Sequence, residues 1–169
     1  NGRNVRVATA SLQSLNSTLN LHISDINPKS IVKKKSLSRA VIDFLYYVDS
    51  NFKKCLEICS EGTIYSNYQD WWYKYKLGKV YNRLGLLTDA EKHLLSSLKH
   101  YKYSNTYLQL SNIYVKMDQP LKALDILSIG EVENPNENYF TLYKARIFEM
   151  LFNFEKSISL YKSVLEKDV

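Results

Sequence analysis

The chain has 169 residues, of which 45% are hydrophobic and 24% are charged, proportions typical of a folded globular protein. Its net charge is +6, but the lysines are spread along the whole chain, which argues against nucleic acid as the partner. No apolar run approaches the ~20 residues needed to cross a bilayer, so we expect no transmembrane segment.

The two cysteines predict neither a disulfide framework nor a metal centre. Cys55 and Cys59 lie four residues apart, one turn of a helix, and favour reduced, buried side chains. His22, His93 and His100 lack the spacing of metal ligands. We therefore expect no metal and no cofactor.

Residues 1–35 are rich in Ser, Asn and Thr and differ from the rest of the chain. Leu19, Leu21 and Ile23 alternate with Asn20 and His22, a period of two that predicts an extended segment with one buried face. We expect an extended N-terminal arm over 1–35, lying against this protein's own helices or against a partner.

Residues 36–70 predict a first helical hairpin. Val41, Phe44 and Val48 recur at intervals of three and four, and Asp49-Ser50-Asn51 interrupts the pattern with residues typical of helix caps. Phe52 then opens a second helix.

Three further units, 71–103, 104–137 and 138–169, can be superimposed on one another. An aromatic residue, a small residue and a bulky residue recur in each unit at intervals of 33 and then 34 residues. These positions are Tyr81, Tyr114 and Phe148; Ala90, Ala123 and Ser157; and Leu94, Leu127 and Tyr161. Each unit predicts two antiparallel helices, and a single hairpin cannot bury both faces of its helices, so the units should stack.

Small residues and turn residues complete each predicted unit. Gly78 and Ser111 lie where the two helices of a hairpin cross, since small side chains let helix axes approach closely. Gly85 supplies the positive φ of a helix end, and Pro120 fits the first turn of a helix.

This spacing resembles the tetratricopeptide repeat, whose pattern runs Trp, Leu, Gly, Tyr, Ala, Phe, Ala, Pro over 34 residues. The unit 71–103 matches at Leu77, Gly78, Tyr81, Gly85 and Ala90, but has Lys74 at the position of the Trp. The resemblance implies an all-α, right-handed α-solenoid of tetratricopeptide-type hairpins, preceded by the extended arm. The hairpin 36–70 would be a degenerate repeat.

A closer resemblance rests on longer runs of residues. Asp70-Trp71-Trp72-Tyr73-Lys74, Arg83-Leu84-Gly85 and Ala145-Arg146-Ile147-Phe148-Glu149-Met150, together with Ala8-Thr9-Ala10-Ser11 in the arm, are similar to the Bardet–Biedl syndrome eight family. Members of that family are tetratricopeptide subunits of the BBSome. The chain is expected to be an N-terminal fragment of a divergent member.

That resemblance implies a non-catalytic scaffold in a coat that carries membrane proteins to and from cilia. The implied partners are other coat subunits, ciliary cargo receptors and the intraflagellar transport machinery. The implied location is the cytoplasm, the cilium and its basal body. The residues agree with the absence of catalysis, since the Asp and Glu residues of the chain are accompanied by neither a glycine-rich loop nor a nucleophile motif.

By analogy with the repeat family, partners should contact the concave face formed by the first helix of each hairpin. The expected contact residues are Tyr75, Lys79, Asn82, Arg83, Leu108, Asn112, Lys116, Leu142, Arg146 and Glu149. The alternative is a co-chaperone or peptide-binding adaptor that clamps acidic C-termini. Its clamp needs Lys and Asn one turn apart on the first helix, where this chain has Tyr75 and Lys79.

Overall fold

The computed structural model describes residues 26–167, and all regular secondary structure in that range is helical. The residue contacts divide the chain into two compact units, Asn1–Tyr68 and Gln69–Val169. Most of the predicted arm, residues 1–25, lies outside the described residues.

The first unit contains α1 (Pro28–Ile31), α2 (Lys35–Tyr47) and α3 (Phe52–Tyr65). The short α1 lies within the segment that the sequence predicts as extended. Its first turn forms because the Asn27 side chain accepts a hydrogen bond from the Lys29 amide at 3.0 Å and Pro28 occupies the first helical position. The extended conformation is therefore wrong for Pro28–Ile31.

The α2–α3 hairpin has its own small core. Ile42, Leu45, Cys55, Ile58 and Cys59 are fully buried. Both cysteines are free thiols, as predicted, and they pack as apolar side chains. The predicted break between the helices is a tight turn in which Ser50 adopts a φ of +55°.

The second unit consists of three antiparallel hairpins. Its helices are α4 (Trp71–Arg83), α5 (Leu87–Leu98), α6 (Ser104–Lys116), α7 (Pro120–Glu133), α8 (Tyr139–Met150) and α9 (Phe154–Lys167). In each hairpin the first helix packs on the second, and α5 and α7 also pack on the first helix of the following hairpin. This serial packing is the stacking that the repeat spacing predicts.

The turns inside the three hairpins share one backbone conformation. Gly85, Asp118 and Phe152, spaced by 33 and 34 residues, have φ values of +78°, +57° and +58°. In each turn the residue after the one with positive φ donates its amide hydrogen to the carbonyl five residues before it, as Leu86 does to Tyr81 at 3.0 Å. This is a Schellman helix end, in which glycine is the favoured residue.

Small residues let neighbouring helices approach closely, both within a hairpin and between hairpins. A Cβ atom placed on Gly78 would lie 2.5 Å from Cγ of Leu94, and one placed on Gly130 would lie 2.5 Å from Cε1 of Phe140. Ala90, on the helix that faces Gly78, and Ala123, on α7, are both fully buried. The sequence therefore placed Gly78 and Ala90 correctly at a crossing, whereas the crossing at Gly130 was not expected.

The core of the second unit is continuous from α4 to α8. Its buried members are Tyr75, Ala90, Leu94, Tyr107, Leu110, Ile113, Tyr114, Ala123, Leu127, Phe140 and Ile147. Every one of the five helices contributes at least one residue.

Candidate functional site

The first helices of the three hairpins form a common surface. α4 contacts α6, and α6 contacts α8, in addition to the packing within each hairpin. We call this surface the A-helix face. It comprises the predicted contact residues that are at least partly exposed, namely Lys79, Asn82, Arg83, Leu108, Asn112, Lys116, Leu142, Arg146 and Glu149.

A hydrogen bond joins neighbouring A helices across this face. The Lys116 ammonium donates to Oδ1 of Asn82 at 2.7 Å, over a separation of 34 residues. Arg83 and Asn112 are exposed beside them. Sequence reasoning put these residues on one face, and the structure brings Asn82 and Lys116 into direct contact.

Tyr75 differs from the other predicted contact residues. Only 4% of its surface is exposed, and it belongs to the hydrophobic core. Its ring lies 5.8 Å from Nζ of Lys79, and the edge of the Tyr103 ring packs against it at 5.3 Å. The Lys79 ammonium thus makes a cation–π contact with the ring of the buried Tyr75.

The third hairpin adds a cation and a carboxylate to the face. The Arg146 guanidinium lies 5.5 Å from the Tyr143 ring centroid, and both Arg146 and Glu149 are exposed. Glu149 accepts a hydrogen bond from the Tyr161 hydroxyl of α9 at 3.2 Å. Counting Lys79, Arg83, Lys116, Arg146 and Glu149, the face is net basic.

Sequence reasoning missed a depression at the other end of the face, near the first turns of α6 and α8. It has a volume of about 390 Å³ and is lined by Tyr103, Ser104, Asn105, Leu108, Glu137 and Tyr139. We call it the tyrosine pocket. The abundance of tyrosine in the chain was the available signal, but its location depends on how two hairpins stack.

Tyr114 joins α6 to α5 of the preceding hairpin. Its hydroxyl donates a hydrogen bond to Oε1 of Glu91 at 2.9 Å. Burial, together with this bond to a carboxylate, raises the pKa of Tyr114 to about 12. The repeat motif predicted an aromatic residue here, but the partner carboxylate was not predicted.

Lys74, at the position of the missing repeat tryptophan, is buried with 6% of its surface exposed. Its Nζ lies 2.8 Å from Nε2 of His100. Burial lowers the pKa of Lys74, and the nearby charge of Lys99 lowers it further. Because the repeat places a large apolar residue here, the lysine stem fills that space and its ammonium reaches the end of α5.

The three aromatic residues that open α4 serve packing. Trp71 lies 4.8 Å from Tyr101 and 5.1 Å from Tyr103, measured between ring centroids. Tyr73 is buried, and the Lys76 ammonium lies 5.0 Å from the Trp72 ring.

Residues 26–167 contain neither a candidate metal centre nor a candidate membrane span. Within that range, His, Cys, Asp and Glu side chains nowhere gather in a group of three suited to a metal ion. The helices of that range are also too short or too polar to span a bilayer.

Comparison with known sequences identifies relatives over nearly the whole chain. No family model matches the chain. Tetratricopeptide repeat protein 8 of Mus musculus is 34% identical over 167 residues, covering 99% of this chain and 32% of that protein. The protein of the same name from Caenorhabditis elegans is 30% identical over 166 residues, covering 98% of this chain and 33% of that protein. The chain therefore spans about a third of the length of these relatives.

Solved structures share the fold at low sequence identity. A Pseudomonas aeruginosa pilF structure has a TM-score of 0.67 at 14% identity, covering 96% of this chain and 73% of that one. YrrB, described as a TPR protein with an unusual peptide-binding site, has a TM-score of 0.64 at 18% identity, covering 83% and 73%. A MamA structure has a TM-score of 0.61 at 14% identity, covering 85% and 95%.

These likenesses confirm the predicted fold class for the residues that the structure describes: an all-α solenoid of tetratricopeptide-type hairpins. They also agree with a protein-interaction scaffold as the general role. The chain is a homologue of proteins named tetratricopeptide repeat protein 8.

Proposed function

We propose that this chain is a non-catalytic scaffold whose A-helix face binds an extended segment of a partner protein, within a multi-subunit coat of the BBSome type. The Lys116–Asn82 hydrogen bond is the observation that carries the proposal, because it makes the faces of two hairpins one continuous polar surface. A partner laid across this surface would contact both hairpins at once.

The charge of the face favours acidic side chains in the bound segment. Lys79, Arg83 and Lys116 stand on neighbouring A helices, while Glu149 is already engaged by Tyr161. Opposite charges steer a partner toward the face and suppress basic competitors. Acidic residues of the partner would replace Asn82 as the acceptor for Lys116.

Assembly in a coat is supported by the names of the relatives and by the runs of residues that resemble the Bardet–Biedl syndrome eight family. The proposed partners are other coat subunits, with ciliary cargo receptors and the intraflagellar transport machinery as further ones. The proposed location is the cytoplasm, the cilium and its basal body.

Co-purification from ciliated cells tests this proposal. The full chain would carry an affinity tag, and retained proteins would be identified by mass spectrometry. We expect coat subunits of the BBSome type. Recovery of chaperones with acidic C-termini, without coat subunits, would instead favour the peptide-clamp alternative and contradict the coat.

A matched pair of variants assigns the binding to the A-helix face. Lys79→Glu with Lys116→Glu should abolish retention of the partner. Lys92→Glu with Lys162→Glu changes the net charge equally, but at exposed positions on α5 and α9, and should retain it. Equal losses in the two double variants would contradict binding at the A-helix face.

A further inference from the structure

The tyrosine pocket has an unusual combination of walls for an exposed depression. Tyr103 and Tyr139 are half-buried aromatic walls, and Leu108 adds an apolar one. Glu137, which is exposed, is the one charged residue among the six that line the pocket. The volume of about 390 Å³ is enough for a long side chain and some water.

Two lysines close in sequence to residues of the pocket pair with carboxylates other than Glu137. Lys102, which precedes Tyr103 in the chain, pairs with Glu133 of α7. Lys144 of α8 pairs with Glu131 at 2.6 Å. Burial raises the pKa of Tyr139; a hydrogen bond with Ser104 lowers it, and the charge of Glu137 and a hydrogen bond with that carboxylate raise it.

Aromatic ring faces beside a carboxylate form a site for a cation. A guanidinium group stacks on tyrosine rings and can donate two parallel hydrogen bonds to the two oxygens of a carboxylate. An ammonium is a more strongly hydrated point charge and lacks this planar match. The walls of the pocket therefore favour arginine over lysine.

We propose that the tyrosine pocket binds an arginine side chain of the partner segment. This proposal rests on the proposed function, since it adds an anchor to the same A-helix face. The pocket would select a positively charged side chain, whereas the basic part of the face would select negatively charged ones.

The pocket and the basic part of the face lie along one stripe of α6. Asn105, Leu108, Asn112 and Lys116 follow one another at intervals of three and four residues, so they share a helix face. The rise from Asn105 to Lys116 is about 16 Å, at about 1.5 Å per residue. An extended segment covers that distance in about five residues, at about 3.3 Å each. We therefore expect an arginine and an acidic residue separated by about five residues in the bound segment.

Titration with single-residue probes, followed by amide chemical shifts of the ¹⁵N-labelled full chain, tests the pocket. N-acetyl-arginine amide should give saturable shifts at Asn105, Leu108 and Tyr139. N-acetyl-citrulline amide, which has the same shape without the charge, should not. Equal binding of both probes, or arginine shifts confined to other residues, would overturn the arginine site.

Two carboxylate variants sharpen this test. Glu137→Gln should weaken binding of the arginine probe about tenfold, because the amide cannot form the charge-assisted bonds. Glu155→Gln removes an exposed carboxylate of α9 and should leave binding unchanged. Thermal melts of both variants should match the parent, which excludes misfolding as the cause of a loss.

A second probe separates failure of the pocket from failure of the proposed function. Blocked tetra-aspartate should shift Lys79, Asn112 and Lys116 if the basic part of the face binds acidic segments. Binding of tetra-aspartate without arginine would overturn the pocket alone. Binding of arginine without tetra-aspartate would retain the pocket and contradict the proposed acidic segment.

The predicted spacing is tested by joining the two groups. The peptide acetyl-Arg-Gly-Ser-Gly-Ser-Gly-Asp-Asp-amide should bind about tenfold more tightly than acetyl-Arg-Asp-Asp-amide, since only the longer peptide reaches both parts of the face. Equal affinities would contradict simultaneous occupation.

Discussion

The middle hairpin (α6–α7) and the last hairpin (α8–α9) of the second unit follow the same repeat but differ in burial. In the middle hairpin Leu110, Ile113, Ala123 and Leu127 are fully buried. In α9, Ser157 and Val164 are the buried residues among the described side chains, whereas Phe154, Ile158 and Leu165 are 55%, 54% and 67% exposed.

The difference in burial follows from the number of neighbouring helices that pack on each hairpin. The middle hairpin packs on α5 and on α8, one helix on each side. The last hairpin packs on the middle one through α8, and the described residues cover no further face of α9. The repeat motif decides which face of a helix is apolar, but stacking decides whether that face is removed from water.

The largest predicted effect contrasts equivalent core positions. Leu127→Ala should lower the free energy of unfolding by about 2–5 kcal/mol, because Leu127 is fully buried and truncation leaves a cavity. Tyr161→Ala, at the same repeat position in the partly exposed last hairpin, should cost about 1 kcal/mol. Urea unfolding of both variants measures the contrast, and equal losses would contradict an effect of stacking on burial.

Overpacking at a helix crossing should lower the free energy of unfolding by less than the Leu127→Ala truncation does. Ala123→Leu, like Ala90→Leu, should cost about 1–3 kcal/mol, since each alanine is fully buried where two helices cross. The neighbouring exposed Lys122→Leu should change stability by less than about 0.5 kcal/mol. Thermal melts that match the parent for both alanine variants would show that the crossing is misplaced.

The shared turn conformation predicts that two substitutions change the stability of the fold in opposite directions. Gly85→Ala should destabilise by about 1 kcal/mol, because a side chain at positive φ is strained even though open space surrounds Gly85. Phe152→Gly should stabilise by about 1 kcal/mol, because it relieves the same strain at an 81% exposed residue. Chemical denaturation measures both, and a loss of stability in Phe152→Gly would mean that its contact with Phe154 outweighs the strain.

A dependence of stability on pH is predicted at the junction of α5 and α6. Tyr114 has a folded pKa of about 12, above the ordinary value of 10.0, so its protonated form is favoured by folding. The stability it contributes is complete below about pH 10 and is lost as the pH rises toward 12. Tyr114→Phe should lessen this loss in melts between pH 9 and 12, about the range of tyrosine ionisation. An unchanged slope would contradict the raised pKa of Tyr114.

The sequence was sufficient for features repeated in every hairpin and insufficient for features that depend on neighbours. The crossing at Gly78 and the turn at Gly85 follow from residue types that only a few backbone environments favour. The turn at Phe152 could not be predicted in this way, because a phenylalanine gives no indication of a positive φ. The helix α1 was also missed, because Asn27-Pro28 suits both a loop turn and a helix start.

The candidate site was predictable as a face but not as a set of contacts. The interval of 33 and 34 residues placed Lys79, Asn112 and Arg146 at equivalent positions. It could not reveal that Tyr75 is buried, or that Tyr103 and Tyr139 meet across 36 residues to line one pocket. Such features depend on the rotation of each hairpin against the next.

Hydrogen–deuterium exchange tests the central claim most directly, by comparing the chain alone with the chain bound to a partner recovered in the co-purification. Binding to the A-helix face predicts slower exchange in α4, α6 and α8, with α5, α7 and α9 unchanged. Protection confined to α5, α7 and α9 would contradict the A-helix face as the binding surface.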